Sequence, residues 1–306
     1  MYNEKQKIAF IKDVAKSITV ANFYSNLFEK TSGLETKWGK DIADASLEEL
    51  QEFFDSRFGW KTRGDKTTLS RINVYIRWCS EHGFNNGRVA SGSEIDSSNR
   101  VRNRLIPNPL KLSKELEIIF DNDDLHTSDI IYKCAFWLAF SGVKACDVNN
   151  VKKTDVDFGN LTIHYGGFDY DIYKESIKTM QLAISLDSFD YYHPLYTDVI
   201  SRKRVDSESI LAGVRGVPTE EMIRTRAWNA RKKAAANAEE FTSFSIEDVW
   251  SSGIYYRMHM AEIAGIKPDF VSIIEQYDLI SGKETMTRTI NKIRNDYNKW
   301  KKAFAK

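Results

Sequence analysis

At 306 residues the chain has room for two ordinary domains, and 42% hydrophobic with 28% charged residues is the balance of a soluble globular protein. No apolar run reaches the roughly 18 residues of a membrane span, and Met1 to Lys16 mixes charge into its apolar positions, which argues against a signal-peptide core. A net charge of +1, from 44 basic and 43 acidic residues, excludes a uniformly basic nucleic-acid binder and leaves room only for a local basic face.

The first hundred residues carry the pattern of a helical bundle. Ile8, Ile11, Val14 and Ile18 fall on one helical face, and Val20, Phe23, Tyr24, Leu27 and Phe28 follow the spacing of a core-facing stripe. Ser46-Leu47-Glu48-Glu49 is a capping box that opens a helix bearing Leu47, Leu50, Phe53 and Phe54. A further helix is predicted from about Thr67, with Leu69, Ile72, Tyr75, Ile76 and Cys79 inside, ending at Gly83. From Asn85 to Asn103 the composition turns to Gly, Ser, Asn and Arg, the mark of a connector. The prolines of Ile106-Pro107-Asn108-Pro109 then stop any helix from running on. The expected division is therefore 1–104 and 105–306.

In the second part, Ile131, Cys134, Ala135 and Leu138 form a stripe on a helix that ends at Ser141-Gly142. Val156-Asp157-Phe158 and Leu161 to Tyr165 flank a Gly159-Asn160 turn as a hairpin, and the alternation of Met180, Leu182, Ile184 and Leu186 predicts a third strand. After Tyr192 the chain reads as helical to its end. Cys79, Cys134 and Cys146 are odd in number, scattered and set in apolar or helical contexts. They read as reduced, buried thiols of a cytosolic protein, not a disulfide frame or a zinc site. Five dispersed histidines add no metal-ligand spacing, so no metal and no cofactor is expected.

Ser141-Gly142-Val143-Lys144-Ala145-Cys146-Asp147, followed by Val151 and Asp155-Val156-Asp157, resembles the tyrosine recombinase (phage integrase) family without a gap. That family has Thr-Gly-Leu-Arg-x-x-Glu at this place, then Leu, then an aspartate opening the first strand. Gly39-Lys40-Asp41-Ile42 through Trp78-Cys79 resembles its core-binding segment, and Pro107-Asn108-Pro109 stands where it has Asn-Pro between domains. The resemblance implies a mainly α fold. A helical, SAM-like core-binding domain would precede an integrase-like, catalytic-type domain carrying a small antiparallel three-stranded sheet.

The same resemblance implies that the cutting chemistry is gone. Attack of a tyrosine on a phosphodiester needs two bidentate guanidinium groups around the developing charge. Lys144 stands at the first arginine and cannot form the fork. The family's His-x-x-Arg falls on Glu247-Asp248-Val249-Trp250, which puts a carboxylate at Glu247 and an indole at Trp250. Losing one such donor typically costs about 100- to 1000-fold in rate. The nucleophile's place falls near Arg288. Tyr277 and Tyr297 are out of register, and Tyr297 sits on a stripe with Ile290, Ile293 and Trp300. Lys174 or Lys178 would be the family's strand lysine, left here as a phosphate contact or a surface residue.

Basic residues then mark where a duplex would be held. Glu220 and Glu221 open a helix carrying Arg224, Arg226, Arg231, Lys232 and Lys233. Its place corresponds to the family's major-groove helix, where early arginines read guanine edges and later ones meet phosphate. Lys61, Arg63, Lys66, Thr68 and Arg71 surround a helix start in the first domain, a natural phosphate site. Arg202, Lys203 and Arg204 form a short basic loop. The tail from Lys283 to Lys306 is basic, with a stripe of Ile290, Ile293, Tyr297, Trp300 and Phe304 that either packs on its own domain or docks on another copy.

The chain also resembles the SPβ-type prophage repressors, the MrpR family, in its opening Met1 to Lys7 and its altered Lys144, Glu247 and Trp250 positions. That implies a repressor that occupies operator sites on double-stranded DNA and maintains lysogeny. It would act in the cytoplasm and nucleoid of a bacterial host, without membrane contact, and a phage-encoded regulatory protein would be its partner. A divergent but active recombinase is the alternative.

Overall fold

A computed structural model describes residues 2–57, 65–85, 89–92, 94–96, 98–120, 129–192, 199–237, 242–280, 282 and 284–305. By its contacts the chain divides into two units, residues 1–100 and 101–306. The protein is mainly helical, with a small three-stranded antiparallel sheet in the second unit. No helix among the described residues is long and apolar enough to cross a membrane.

The first unit is built from α1 (Glu4–Val14), α2 (Ile18–Trp38), α3 (Leu47–Arg57) and α4 (Asp65–Glu81), with the short α5 (Ser98–Arg102) beginning at its end. Ser17 caps α2 through Val20 N, and Gly39 ends it in the left-handed region that a residue without a Cβ enters freely. The expected capping box is formed at α3, where Glu49 N donates to Ser46 Oγ and Ser46 N donates to Glu49 Oε2. Gly83 stops α4 at φ +75°, letting Phe84 N reach back to Cys79 O at 2.8 Å. The core is aromatic. Phe10, Tyr24, Phe28 and Tyr75 meet edge to face with centroids 4.7–5.9 Å apart.

One predicted face is corrected. Ile8 and Ile18 are exposed, and α1 buries Lys7 and Phe10 in their place. A count of apolar residues cannot see this, because one of the two inward positions is a lysine. Lys7 is fully buried, with Nζ 2.5 Å from Glu35 Oε1 and 3.7 Å from Asp41 Oδ2. Burial pushes the Glu35 carboxyl up from its ordinary value, against the pull of Lys7.

The second unit holds α6 (Pro109–Phe120), α7 (Asp129–Ser141), β1 (Val156–Asp157), β2 (Thr162–Tyr165), β3 (Phe168–Asp171) and α8 (Lys174–Ser185). It continues with β4 (Ser188–Tyr192), β5 (Val199–Lys203), α9 (Glu220–Asn237), α10 (Ile246–Ile263), α11 (Phe270–Gln276) and α12 (Met286–Phe304). α7 is the central helix. Every residue from Cys134 to Ser141 is buried, so it has no polar face. It crosses α10 at Gly253, where an added Cβ would stand 1.9 Å from Phe140 O.

The sheet runs β1-β2-β3 with Ile163 opposite both Val156 and Tyr170. The third strand is not the predicted one. Gly166 and Gly167, both at positive φ, make the two-residue turn from β2 into Phe168–Asp171. Met180 to Ser185 lies in α8, which buries Ser176, Met180 and Ala183 at helical spacing and leaves Leu182 exposed. The expectation of helix throughout after Tyr192 is also corrected, since β4 and β5 pair as a two-stranded ribbon from Ser188 opposite Lys203 to Tyr192 opposite Val199. Cys79 and Cys134 are buried free thiols as expected, whereas Cys146 is exposed.

The stripe of α12 is covered within its own unit. Trp300 packs against His259 with centroids 5.6 Å apart and donates its indole N–H to Ile106 O, while Tyr297 lies 6.2 Å from the Tyr255 ring.

Candidate nucleic-acid interface

The loop after α7 gathers the positions at which the sequence resemblance would place a catalytic centre. Gly142 has φ +125°, and a Cβ there would collide with Tyr170, Tyr277 and Arg257 at 2.7–3.0 Å. Its carbonyl accepts the Trp250 indole N–H at 3.0 Å. Lys144 reaches Asp278 Oδ2 at 2.7 Å, and that hydrogen bond holds its ammonium above its ordinary pKa. Glu247, at the start of α10, pairs with Arg224 of α9.

One residue here escaped the sequence reading, and it holds a tyrosine, Tyr277, that the reading set aside as out of register. Arg257 sits two turns beyond Trp250 on α10, donating from Nε to Tyr277 Oη at 2.9 Å and from Nη1 to Phe140 O at 2.7 Å and Tyr173 Oη at 3.2 Å. Its only sequence signal is an arginine inside the otherwise apolar run from Ile254 to Met258. Tyr277 is 7% exposed, and burial pushes the neighbouring Tyr170 phenol up to about 12. Tyr297, the other tyrosine considered, is buried and donates to Glu262 Oε2 at 2.7 Å.

On α9 the three arginines are engaged by their own chain. Arg224 bridges Glu220 and Glu247, and Arg226 grips Asp129 through three contacts of 2.7–2.9 Å. Arg231 donates to Ala227 O and Phe244 O; its burial, and then nearby Arg104, lower its pKa. Lys232 is exposed, with Nζ 5.5 Å from the centroid of Trp228. Between α9 and the start of α10 lies a cleft of about 520 Å³, lined by Phe136, Arg224, Trp228, Arg231, Ile246 and Glu247 among others.

Arg202 and Lys203 are exposed on β5, not on a loop. Arg204, expected beside them as a phosphate contact, is turned inward. Its guanidinium donates to the carbonyls of Ala183, Ile184, Leu186, Ser209 and Ile210, so it ties α8 to the segment after β5. Lys174 and Lys178 are exposed on α8, not on a sheet strand. In the first unit Lys66 is exposed at the start of α4, Thr68 is buried, and Arg71 lies 5.8 Å from the ring centroids of Phe23 and Tyr24. Thr68 is thereby removed from the expected contacts, because its side chain packs inward. Lys61 and Arg63 fall outside the described residues.

Residues 1–81 match a family model described as the MrpR N-terminal core-binding domain. Residues 1–81 are thus similar to the core-binding domain of MrpR. Among solved structures, a λ integrase dimer bound to a COC' core site is 15% identical with a TM-score of 0.34, covering 92% of this chain and 97% of that one. The Tn1549 transposon integrase in complex with circular intermediate DNA is 13% identical at 0.39, covering 94% of each chain. XerA recombinase is 12% identical at 0.39, covering 97% of this chain and 98% of that one. No curated protein matches.

Proposed function

We propose that the protein is a sequence-specific DNA-binding repressor on a recombinase scaffold that no longer cuts, maintaining lysogeny by silencing lytic genes of a prophage. One observation carries most of this. The groups at the corresponding catalytic positions are satisfied by their own chain: Lys144 by Asp278, the Trp250 indole by the Gly142 carbonyl, and Glu247 by Arg224. A carboxylate and an indole at the site of a reacting phosphate supply no fork of N–H donors for its charge. Basic residues remain exposed on α4, α8, α9 and β5, in Lys66, Lys174, Lys178, Lys232, Arg202 and Lys203, as phosphate binding requires. Double-stranded operator DNA is the partner, and the bacterial cytoplasm is the place of action. A phage-encoded regulatory protein would relieve repression.

The rival is a divergent active recombinase, and Arg257 against the Tyr277 hydroxyl is the pair that favours it. Purified protein incubated with its selected duplexes, some carrying a nick that traps a covalent intermediate, separates the two. Retained duplex without adduct is expected. An adduct lost in Tyr277→Phe would establish the recombinase and refute the repressor. Self-association through α12 would need Ile293, Tyr297 and Trp300 to leave their present packing, so Trp300→Ala is expected not to lower the oligomeric state that sedimentation of the free protein reads.

A further inference from the structure

We infer that α9 reads adenine–thymine pairs, through Asn229 with Thr225 and Met222, and not guanine through its arginines. The inference rests on the DNA-binding reading proposed above and specifies what that surface recognises.

The helix fixes which side chains look outward. Ile223, Ala227, Ala230 and Ala234 recur at helical spacing and are all buried, so this stripe faces the core. At 100° per residue the opposite face carries Thr225 and Lys232 at its centre, with Met222 and Asn229 on one flank and Trp228 on the other. All five are exposed, Trp228 at 59% and Met222 at 45%. The arginines lie to the sides: Arg224 and Arg231 toward the start of α10, Arg226 toward Asp129 at the start of α7. An arginine already paired must break that pair before it can fork onto guanine O6 and N7.

The outward groups have a different vocabulary. Asn229 makes no side-chain hydrogen bond among the described residues, and an asparagine amide pairs in two-point fashion with adenine N6 and N7. Thr225 and Met222 offer methyl groups of the kind that pack on the thymine C5-methyl. The Thr225 hydroxyl is only loosely engaged, 3.4 Å from Glu221 Oε1. Lys232, held beside the Trp228 ring, is a point charge suited to phosphate. The exposed tryptophan and methionine would find apolar contact in a groove that carries thymine methyls.

The test is selection of bound duplexes from a fully randomised pool by the full-length protein, repeated with Asn229→Ala and Arg226→Ala. Asn229 is exposed and alanine is a better helix former, so the variant is expected to fold. The enriched site is expected to contain an adenine that Asn229→Ala alone makes dispensable, with affinity for the selected site falling about 5- to 150-fold and an unchanged salt slope. Enrichment of sites whose required positions are guanines, or a required adenine indifferent to Asn229→Ala, would overturn this inference while leaving DNA binding intact. Enrichment of no duplex at all would instead overturn the proposed function.

Discussion

A charged residue in this chain is informed by its burial more than by its type. Arg202, Lys203 and Arg204 are three consecutive cations, yet only the first two face water. Arg204→Ala is expected to remove a donor from five carbonyls, of which Ser209 O keeps Ala212 N, and to cost the second unit about 3 kcal/mol or more in denaturant unfolding. Arg202→Ala and Lys203→Ala should unfold normally and each reduce the salt slope of DNA binding by about 1. Glu247→Gln is expected to tighten binding, because it removes a negative charge from the proposed face and loosens the hold on Arg224; titrations at fixed salt measure it. Lys7 behaves like Arg204. Removing it in Lys7→Met leaves Glu35 and Asp41 buried without their cation, a loss of about 3–5 kcal/mol. Glu35 also sets a pH dependence. Its pKa is raised in the folded state, so its contribution favours folding in acid and is lost as pH climbs from 4.5 through the raised value. Amide exchange in α2 and α4 should therefore slow toward acid pH relative to Glu35→Gln, after correction for intrinsic rates; an identical profile in the two proteins would refute the assignment.

Elements were legible where a local rule sufficed. The Ser46 box, the Gly83 stop and the stripe of α4 need only neighbours in sequence, and all three are found where expected. The hairpin's third strand was misplaced because alternation from Met180 to Leu186 also fits a helix, and what decides is the burial of Ser176 and Ala183, which hydrophobic counting ignores. Gly166-Gly167 was the overlooked turn signal. The candidate site was half legible. Motif spacing pointed to Lys144, Glu247 and Trp250, but Arg257 of α10 meets Tyr277, at the end of α11, only through tertiary packing with no local trace, and it reaches Phe140 O because α7 and α10 cross closely. Gly253 permits that crossing. Gly253→Ala forces a methyl against the Phe140 carbonyl and is expected to cost about 3 kcal/mol or more, well beyond an ordinary overpacked methyl. Far-UV circular dichroism on heating would register it, and an unchanged midpoint would mean the helices slide apart freely.

At the scale of the molecule the charge is nearly balanced, 44 basic against 43 acidic residues, so the proposed attraction to a duplex would come from local surfaces and fade within about 8–10 Å at physiological salt. Association is accordingly expected to be slower than for strongly basic binders and to depend on a good fit once contact is made. The tail helix adds a consequence of its own. Because α12 spends its tyrosine and tryptophan on its own body, a copy at one proposed operator would have no ring of its tail helix to hand to the copy at the next. Repeated sites along a genome would then fill one by one, as beads settle on a string, and silencing would deepen in small steps as the protein accumulates, with no sudden threshold.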